Sequence, residues 1–207
     1  MLRQRHRERV RDALVEAAFA LFAKQGFEAT TVVQIAARAG VGRRTFFRYF
    51  AGKEAVLFPD RERRLGAFRR LESATRGEDP VQAVRQGMLE LARDYQQQRQ
   101  RVVRQQRIIA KSAATLAYDF ERDLEWEAAV ARLLGDRPGE PKALRWQARL
   151  AAGALLGVSR VVLREWYGSD AEEDLTAKGT EAMDLVFEGF ARSLRQLSRR
   201  ASRRKVA

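Results

Sequence analysis

The sequence predicts an all-α protein, with an N-terminal three-helix head followed by a larger C-terminal helical domain. Three observations carry this. Apolar residues recur at i, i+3 and i+4 along most of the chain, the period of a helix with one buried stripe. Pro is scarce, at 4 in 207 residues, and falls between stripes or at a helix start. Residues 30–53, TTVVQIAARAGVGRRTFFRYFAGK, hold in order a cap, an apolar face, a Gly, an apolar plug and a second short helix. That order is a helix-turn-helix.

The first helix is expected over residues 7–24, where Val10, Leu14, Ala17, Ala18, Leu21 and Phe22 make one inward stripe. The residues before it form a basic tail, expected to be mobile and either to lie along a phosphate strand or in a minor groove or to act as a solubilising tail. Gly26 ends the helix and Phe27 packs back. The second helix is expected over 32–39. Thr31 and Gln34 have capping-box spacing, in which hydroxyl and amide satisfy each other's free backbone N–H groups. Gly40 stands where a left-handed residue closes the helix, and Val41 plugs the turn. The third helix, 43–50, turns Phe46 and Phe50 inward and presents Arg43, Arg44, Thr45, Phe47, Arg48 and Tyr49 outward. Solvated faces rarely carry such aromatics beside three arginines, and this mixture suits a DNA major groove. Lys53 opens the next helix. A cation in a first turn opposes the helix dipole, so a nearby phosphate is the expected partner. The sequence candidates for DNA contact are therefore Thr31, Gln34, Gly42, Arg43, Arg44, Thr45, Phe47, Arg48, Tyr49 and Lys53.

At these residues a resemblance enters. The run from Val10 to Leu57 resembles the DNA-binding domain of the TetR family of bacterial transcriptional regulators. It is carried by Ala17, Ala18, Leu21, Phe22, Gly26, Phe27, Thr30, Thr31, Ile35, Ala36, Ala39, Gly40, Val41, Thr45, Tyr49, Phe50, Lys53 and Glu54. Gly42 departs from the family's Ser or Thr cap, and Phe47 from its common Tyr. The resemblance implies operator binding as a dimer, made by the last two helices of each subunit, and release by a small molecule held in the second domain. The division expected is 1–52 for reading DNA and 53–207 for effector binding and dimerisation.

Composition agrees with this class. Net charge is +13, with Arg crowding both ends of the chain, which calls for a polyanion or for solubility. Cys is absent and His6 is the single His, so thiolate chemistry, a His-based triad and a metal cluster are excluded. No stretch has membrane-span length, and the N-terminus lacks a signal peptide's apolar core. The expectation is a cytoplasmic protein with no cofactor, no metal and no enzymatic activity.

Beyond the head, Pro59 interrupts a helix over residues 53–73, with Leu57, Phe58, Leu65, Phe68 and Leu71 inward. Residues 75–78 form a loop. Asp79 and Pro80 then supply cap and first-turn Pro for a helix with Val81, Val84, Met88, Leu91, Ala92 and Tyr95 as its stripe. A break near Arg99 starts another helix through Val102, Val103, Ile108 and Ile109. The helix over 114–134 is expected to carry Leu116, Phe120, Leu124, Ala128 and Ala131 on one side. Residues 135–141, GDRPGEP, form a loop. The helix over 142–167 is apolar on two sides and is therefore expected to lie buried between two layers. One line is Trp146, Leu150, Gly153, Gly157 and Val161; the other is Leu144, Ala151, Leu155, Val158 and Val162. The last helix, 172–198, carries Met183, Val186, Phe187, Phe190, Leu194 and Leu197. Val186, Phe190 and Leu194 are expected to form the ridge that meets a second subunit.

The effector candidates are Met88, Tyr95, Phe120 and Trp146, with Arg107, Arg160 and Arg164 as long cations and space left by Gly153 and Gly157. The stretch RIIAKSAATLAYDFERDLEWEAAVARLLGDR resembles actinobacterial TetR members that bind acyl-CoA-like molecules. The leading reading is a homodimeric, ligand-responsive repressor of palindromic operator DNA. Two alternatives come from other classes: an architectural DNA-binding protein without effector, suggested by the basic ends, and a helical interaction protein.

Overall fold

The computed structural model describes residues 2–74 and 79–188, and every regular element among them is an α-helix. In chain order they are α1 (Leu2–Gln25), α2 (Val32–Arg38), α3 (Arg43–Tyr49), α4 (Lys53–Leu57), α5 (Arg61–Ala74), α6 (Pro80–Gln97), α7 (Arg99–Ile109), α8 (Ala113–Leu134), α9 (Lys142–Gly168) and α10 (residues 175–188). The loop at 75–78, the C-terminal basic run and Phe190, Leu194 and Leu197 lie outside the described residues.

The chain divides into two compact units. One holds the residues up to 62 together with 101–121; the other holds 63–100 and the residues from 122 onward. The boundary drawn from sequence falls after residue 52. The packing boundary falls elsewhere, because α4 and α7 contribute to the head's core and the start of α8 goes with that unit.

In the first unit, α1 begins at residue 2, so the residues expected as a tail are helical instead. Leu, Arg and Gln are good helix formers, and no Gly or Pro interrupts them. Leu14, Ala18 and Phe22 are buried as their period requires, but so are Val15 and Phe19 on an adjoining face. They join the same core as Ile108 and Ile109 of α7. The Arg104 guanidinium of α7 lies 4.9 Å from the Phe19 ring centre and reaches Glu16 at 2.7 and 2.8 Å. Ser112 donates to Glu28 at 2.7 Å, and Phe58 packs 5.5 Å from Tyr118. Pro59 ends α4, and α5 restarts two residues on.

In the second unit, α5, α6, α8, α9 and α10 share one core. Asp79 caps α6 through Val81 N–H at 2.9 Å, with Pro80 at its first position. Gly87 of α6 sits where a Cβ would come within 2.6–2.8 Å of the Leu71 and Phe68 side chains, so any larger residue there would force these two to shift. Arg64 of α5, nearly buried, donates to Asp94 at 2.6 Å and lies 4.3 Å from the Tyr95 ring centre; Arg63 reaches the same carboxylate at 2.8 Å. At the corner after α8, Asp136 accepts from Arg145 and Arg149 of α9 at 2.8 and 3.0 Å. The α9–α10 reversal places Asp170 and Ala171 at φ +53° and +61°. It is closed by Ala171 N–H to Trp166 O at 2.8 Å and by the buried Trp166 indole donating to Glu173 O at 2.9 Å.

Two sequence expectations about rows change here. On α8 the inward row is Trp126, Ala129, Val130, Ala131, Leu133 and Leu134, so of the named residues Ala131 is buried, whereas Leu116, Phe120 and Leu124 are about half exposed and Ala128 faces out. Apolar residues occupy both sides of this helix, and periodicity alone does not select between them. On α9 the line through Leu144, Ala151 and Leu155 is buried, while Trp146, Leu150 and Val161 stay exposed. Val186 is a buried core residue, not part of an open ridge, and Leu185 beside it is 72% exposed.

Candidate DNA-reading helix and effector cleft

The reading head is built by local chemistry. Both bonds of the capping box at α2 are made: Gln34 N–H to Thr31 Oγ1 at 3.2 Å, and Thr31 N–H to Gln34 Oε1 at 2.9 Å. Gln25, which the sequence did not single out, donates to the same Oε1 at 3.2 Å and ties the end of α1 to α2. Gly40 takes φ +69°, and Val41 N–H bonds back to Ala36 O at 3.0 Å. This tight turn fixes where α3 starts. No side chain caps α3; Gly42 supplies its carbonyl to Thr45 N–H at 2.9 Å.

Phe46 and Phe50 anchor α3, both buried, with ring centres 5.8 Å apart. The other face is open. Arg43, Arg44, Phe47 and Arg48 are exposed, and Thr45 and Tyr49 are half-buried at its edges. The Arg43 guanidinium lies 5.5 Å from the Phe47 ring and that of Arg48 lies 5.4 Å from Tyr49. Such stacking holds long cations upright over an aromatic base. No acid occurs between Glu28 and Glu54, while Arg38, Arg43, Arg44, Arg48 and Lys53 do, so this surface is uniformly positive. Thr31, Gln34 and Gly42 are also exposed, at the edges of the same motif, as is Val33 of α2, which the sequence reading passed over.

Lys53 has partners that the sequence does not reveal. Its ammonium donates to Phe27 O at 2.8 Å, Thr30 O at 3.1 Å and Glu28 O at 3.3 Å, and stands 4.3 Å from the Phe27 ring. An ammonium has three protons, and all three are used. The first-turn cation thus has loop carbonyls as partners within the chain. It staples α4 to the α1–α2 loop.

The second unit contains a cleft among α6, α8, α9 and α10, with about 110 Å³ of free space. Of the effector candidates, Met88 and Tyr95 line it. Phe120 and Trp146 do not, because both sit on outer rows, 59% and 57% exposed. Arg107 is exposed on α7, in the other unit, and Arg164 is exposed on α9. Arg160 points its guanidinium to Asp123 at 3.1 Å. Gly153 and Gly157 also lie outside the lining; a Cβ at either would meet only Glu127 or Arg160 at 3.7–3.9 Å. The lining residues missed from sequence include Asp123, Trp126, Leu155, Ser159 and Met183. For Asp123 and Trp126 the signal was the inner row of α8, which becomes readable only when the packing partner is known.

A rigid helix-turn-helix with a basic, aromatic reading face, followed by a helical unit with an apolar cleft, defines a DNA-binding regulator with a sensing domain. Residues 14–58 match the family model for bacterial regulatory proteins of the tetR family, and residues 78–191 match that for the MftR C-terminal domain. The HTH-type transcriptional regulator TcmR of Streptomyces glaucescens is 36% identical over 206 residues, spanning 94% of this chain and 86% of that protein. The chain belongs to the TetR family of transcriptional regulators. Among solved structures, Thermus thermophilus FadR in complex with lauroyl-CoA is similar at 24% identity and TM-score 0.56, over 86% of this chain and 94% of that one. The SmeT–triclosan complex, SmeT being a Stenotrophomonas maltophilia repressor, is similar at 24% identity and TM-score 0.62, over 87% and 90%. No helix among the described residues is long and apolar enough to cross a membrane.

Proposed function

We propose that this chain is a ligand-responsive transcriptional repressor that binds palindromic operator DNA as a homodimer and is released by a small molecule. The observation that carries the reading is the exposed face of α3, where Arg43, Arg44, Phe47 and Arg48 project from a helix anchored by two buried Phe rings. Arg forks recognise guanine edges bidentately, and an apolar ring suits a thymine methyl. Thr45, Tyr49, Thr31, Gln34 and Gly42 hold the backbone, since phosphate contacts position and base contacts specify. Residues 1–52 do the reading; 53–207 sense and pair. The protein acts in the cytoplasm, where its DNA is.

The outer row of α9 supports pairing. Trp146, Leu150 and Val161 are exposed apolar side chains on one helix, and Leu185 adds to them from α10. A second copy covering this row by two-fold symmetry makes a four-helix interface. Two α3 helices then enter successive major grooves about 34–36 Å apart. The cleft favours the sensing reading over an architectural protein without effector. FadR and SmeT, which share the fold, are solved with lauroyl-CoA and triclosan. The acyl-CoA-like class expected from sequence needs cations that this cleft's lining does not supply.

The test is fluorescence anisotropy on the DNA flanking the protein's own gene, against a scrambled duplex of equal length. The expected result is tight, salt-sensitive binding to the flanking DNA. Trp146→Arg should sediment as a monomer and lose that affinity. Equal affinity for the scrambled duplex removes the repressor reading; a dimeric Trp146→Arg moves the interface elsewhere.

A further inference from the structure

The cleft's lining says what kind of molecule it holds, an inference that rests on reading it as the effector site. Its walls are mostly apolar, and Asp123 is the one charged residue among the residues that line it. Asp123 Oδ2 accepts from Arg160 at 3.1 Å, and among the described residues Oδ1 accepts from none. The Ser159 hydroxyl gives its proton to Leu155 O at 2.7 Å, so toward the cleft it offers only lone pairs. The cleft's polar corner is therefore rich in acceptors. Trp126 and Tyr95 bring neutral N–H and O–H groups, which do not replace the cation that a buried carboxylate or phosphate needs.

Charge sharpens this. Asp123 and Arg160 together are neutral. A carboxylate entering beside Asp123 meets a like charge in an apolar wall, and an ammonium must compete with Arg160 for the same carboxylate. Neither opposition acts on an uncharged donor. Size points the same way. About 110 Å³ is close to the space of a cavity that takes up one benzene ring, and Met88 and Met183 are flexible enough to widen it for a second.

We propose that the effector is an uncharged, ring-bearing, mostly apolar molecule that donates a hydrogen bond, a phenolic hydroxyl being the simplest case, to Asp123 Oδ1. The acyl-CoA-like class expected from the sequence is anionic and is disfavoured by the same residue.

Three probes of one shape separate the possibilities: 2-naphthol, 2-methoxynaphthalene and 2-naphthoate, titrated by calorimetry into the full-length protein. Wild type should bind 2-naphthol at least about tenfold more tightly than 2-methoxynaphthalene, a single hydrogen bond to a charged acceptor being worth that much. It should bind 2-naphthoate most weakly. Asp123→Leu should level the first two. Asp123→Asn, which keeps an acceptor and removes the charge, should keep the naphthol preference and bind 2-naphthoate better than wild type does. If 2-naphthoate binds wild type as well as 2-naphthol, or if neither variant changes the order, the inference is overturned while the effector reading stands. If none of the three binds wild type, the cleft is not the effector site and both fall.

Discussion

Replacing Lys53 by Met separates two accounts of one residue. Met keeps the apolar stem and removes the ammonium. In the structure that ammonium donates to two part-buried carbonyls, Phe27 O and Thr30 O, and to the exposed Glu28 O at 3.3 Å. A hydrogen bond from a charged donor contributes about 1.5–3 kcal/mol when dry and less when water competes. Two part-buried bonds at roughly half that range, with about 0.5–1 kcal/mol from the contact with the Phe27 ring, give a loss of about 2–4 kcal/mol. For a chain of this length a kcal/mol moves Tm by roughly 2–4 °C, so the variant should melt roughly 5–15 °C lower. Operator affinity should fall alike for every sequence, because the loop and α3 lose their fixed relation. The decisive measurement is salt dependence. A lost phosphate contact lowers the slope of log K against log salt by about 0.9 per subunit. A lost brace leaves the slope unchanged. A variant that keeps the wild-type Tm and shows the smaller slope would refute the brace and restore the phosphate role expected from sequence.

Arg44→Ala should cost about 1–3 kcal/mol at one base pair and little elsewhere, read by competition titrations on operator variants; a uniform loss across all variants would make Arg44 a phosphate contact. Asp94 supplies a pH prediction. Burial pushes its carboxyl up, and the hydrogen bonds and charges of Arg63 and Arg64 more than reverse this, so it lies below its usual value. A carboxyl depressed in the folded state contributes stability that is complete above its unfolded value and is lost as pH falls through the folded one. Asp94→Asn should therefore lower Tm at neutral pH and flatten the fall of Tm on acidification below the usual carboxylate range. An acid limb as steep as the wild type's would mean the Arg63–Asp94–Arg64 group does not contribute there.

The head was legible because its signals are local. A capping box, a Gly at the left-handed position and two Phe residues at i, i+4 are written within a few residues of where they act. What failed were statements that depend on distant packing. Phe19 and Val15 are buried because α7, far along the chain, completes the head's core. The rows of α8 were exchanged because Leu116, Phe120 and Leu124 are as apolar as Trp126, Val130 and Leu133. The arginines assigned to the cleft were chosen by length and charge; Arg160 has an ion-pair partner that the sequence does not reveal. The brace made by Lys53 was invisible for a related reason. The cation's conflict with the helix dipole was real, but carbonyl oxygens from another loop resolve it as well as a phosphate would.

The reversal between α9 and α10 has a consequence for how this chain tolerates insertions and deletions. Two successive non-glycine residues in the left-handed region hold that corner, and the backbone bond to Trp166 O and the indole bond to Glu173 O lock it. Each residue added to or removed from a helix turns everything after it by about 100°. A one-residue deletion between Asp170 and Leu175 would turn Val186 out to the exposed position now held by Leu185 and bring Glu188 to the buried position of Phe187. The corner therefore sets the phase of α10, and a length change of one residue there should be far more damaging than most substitutions along either helix.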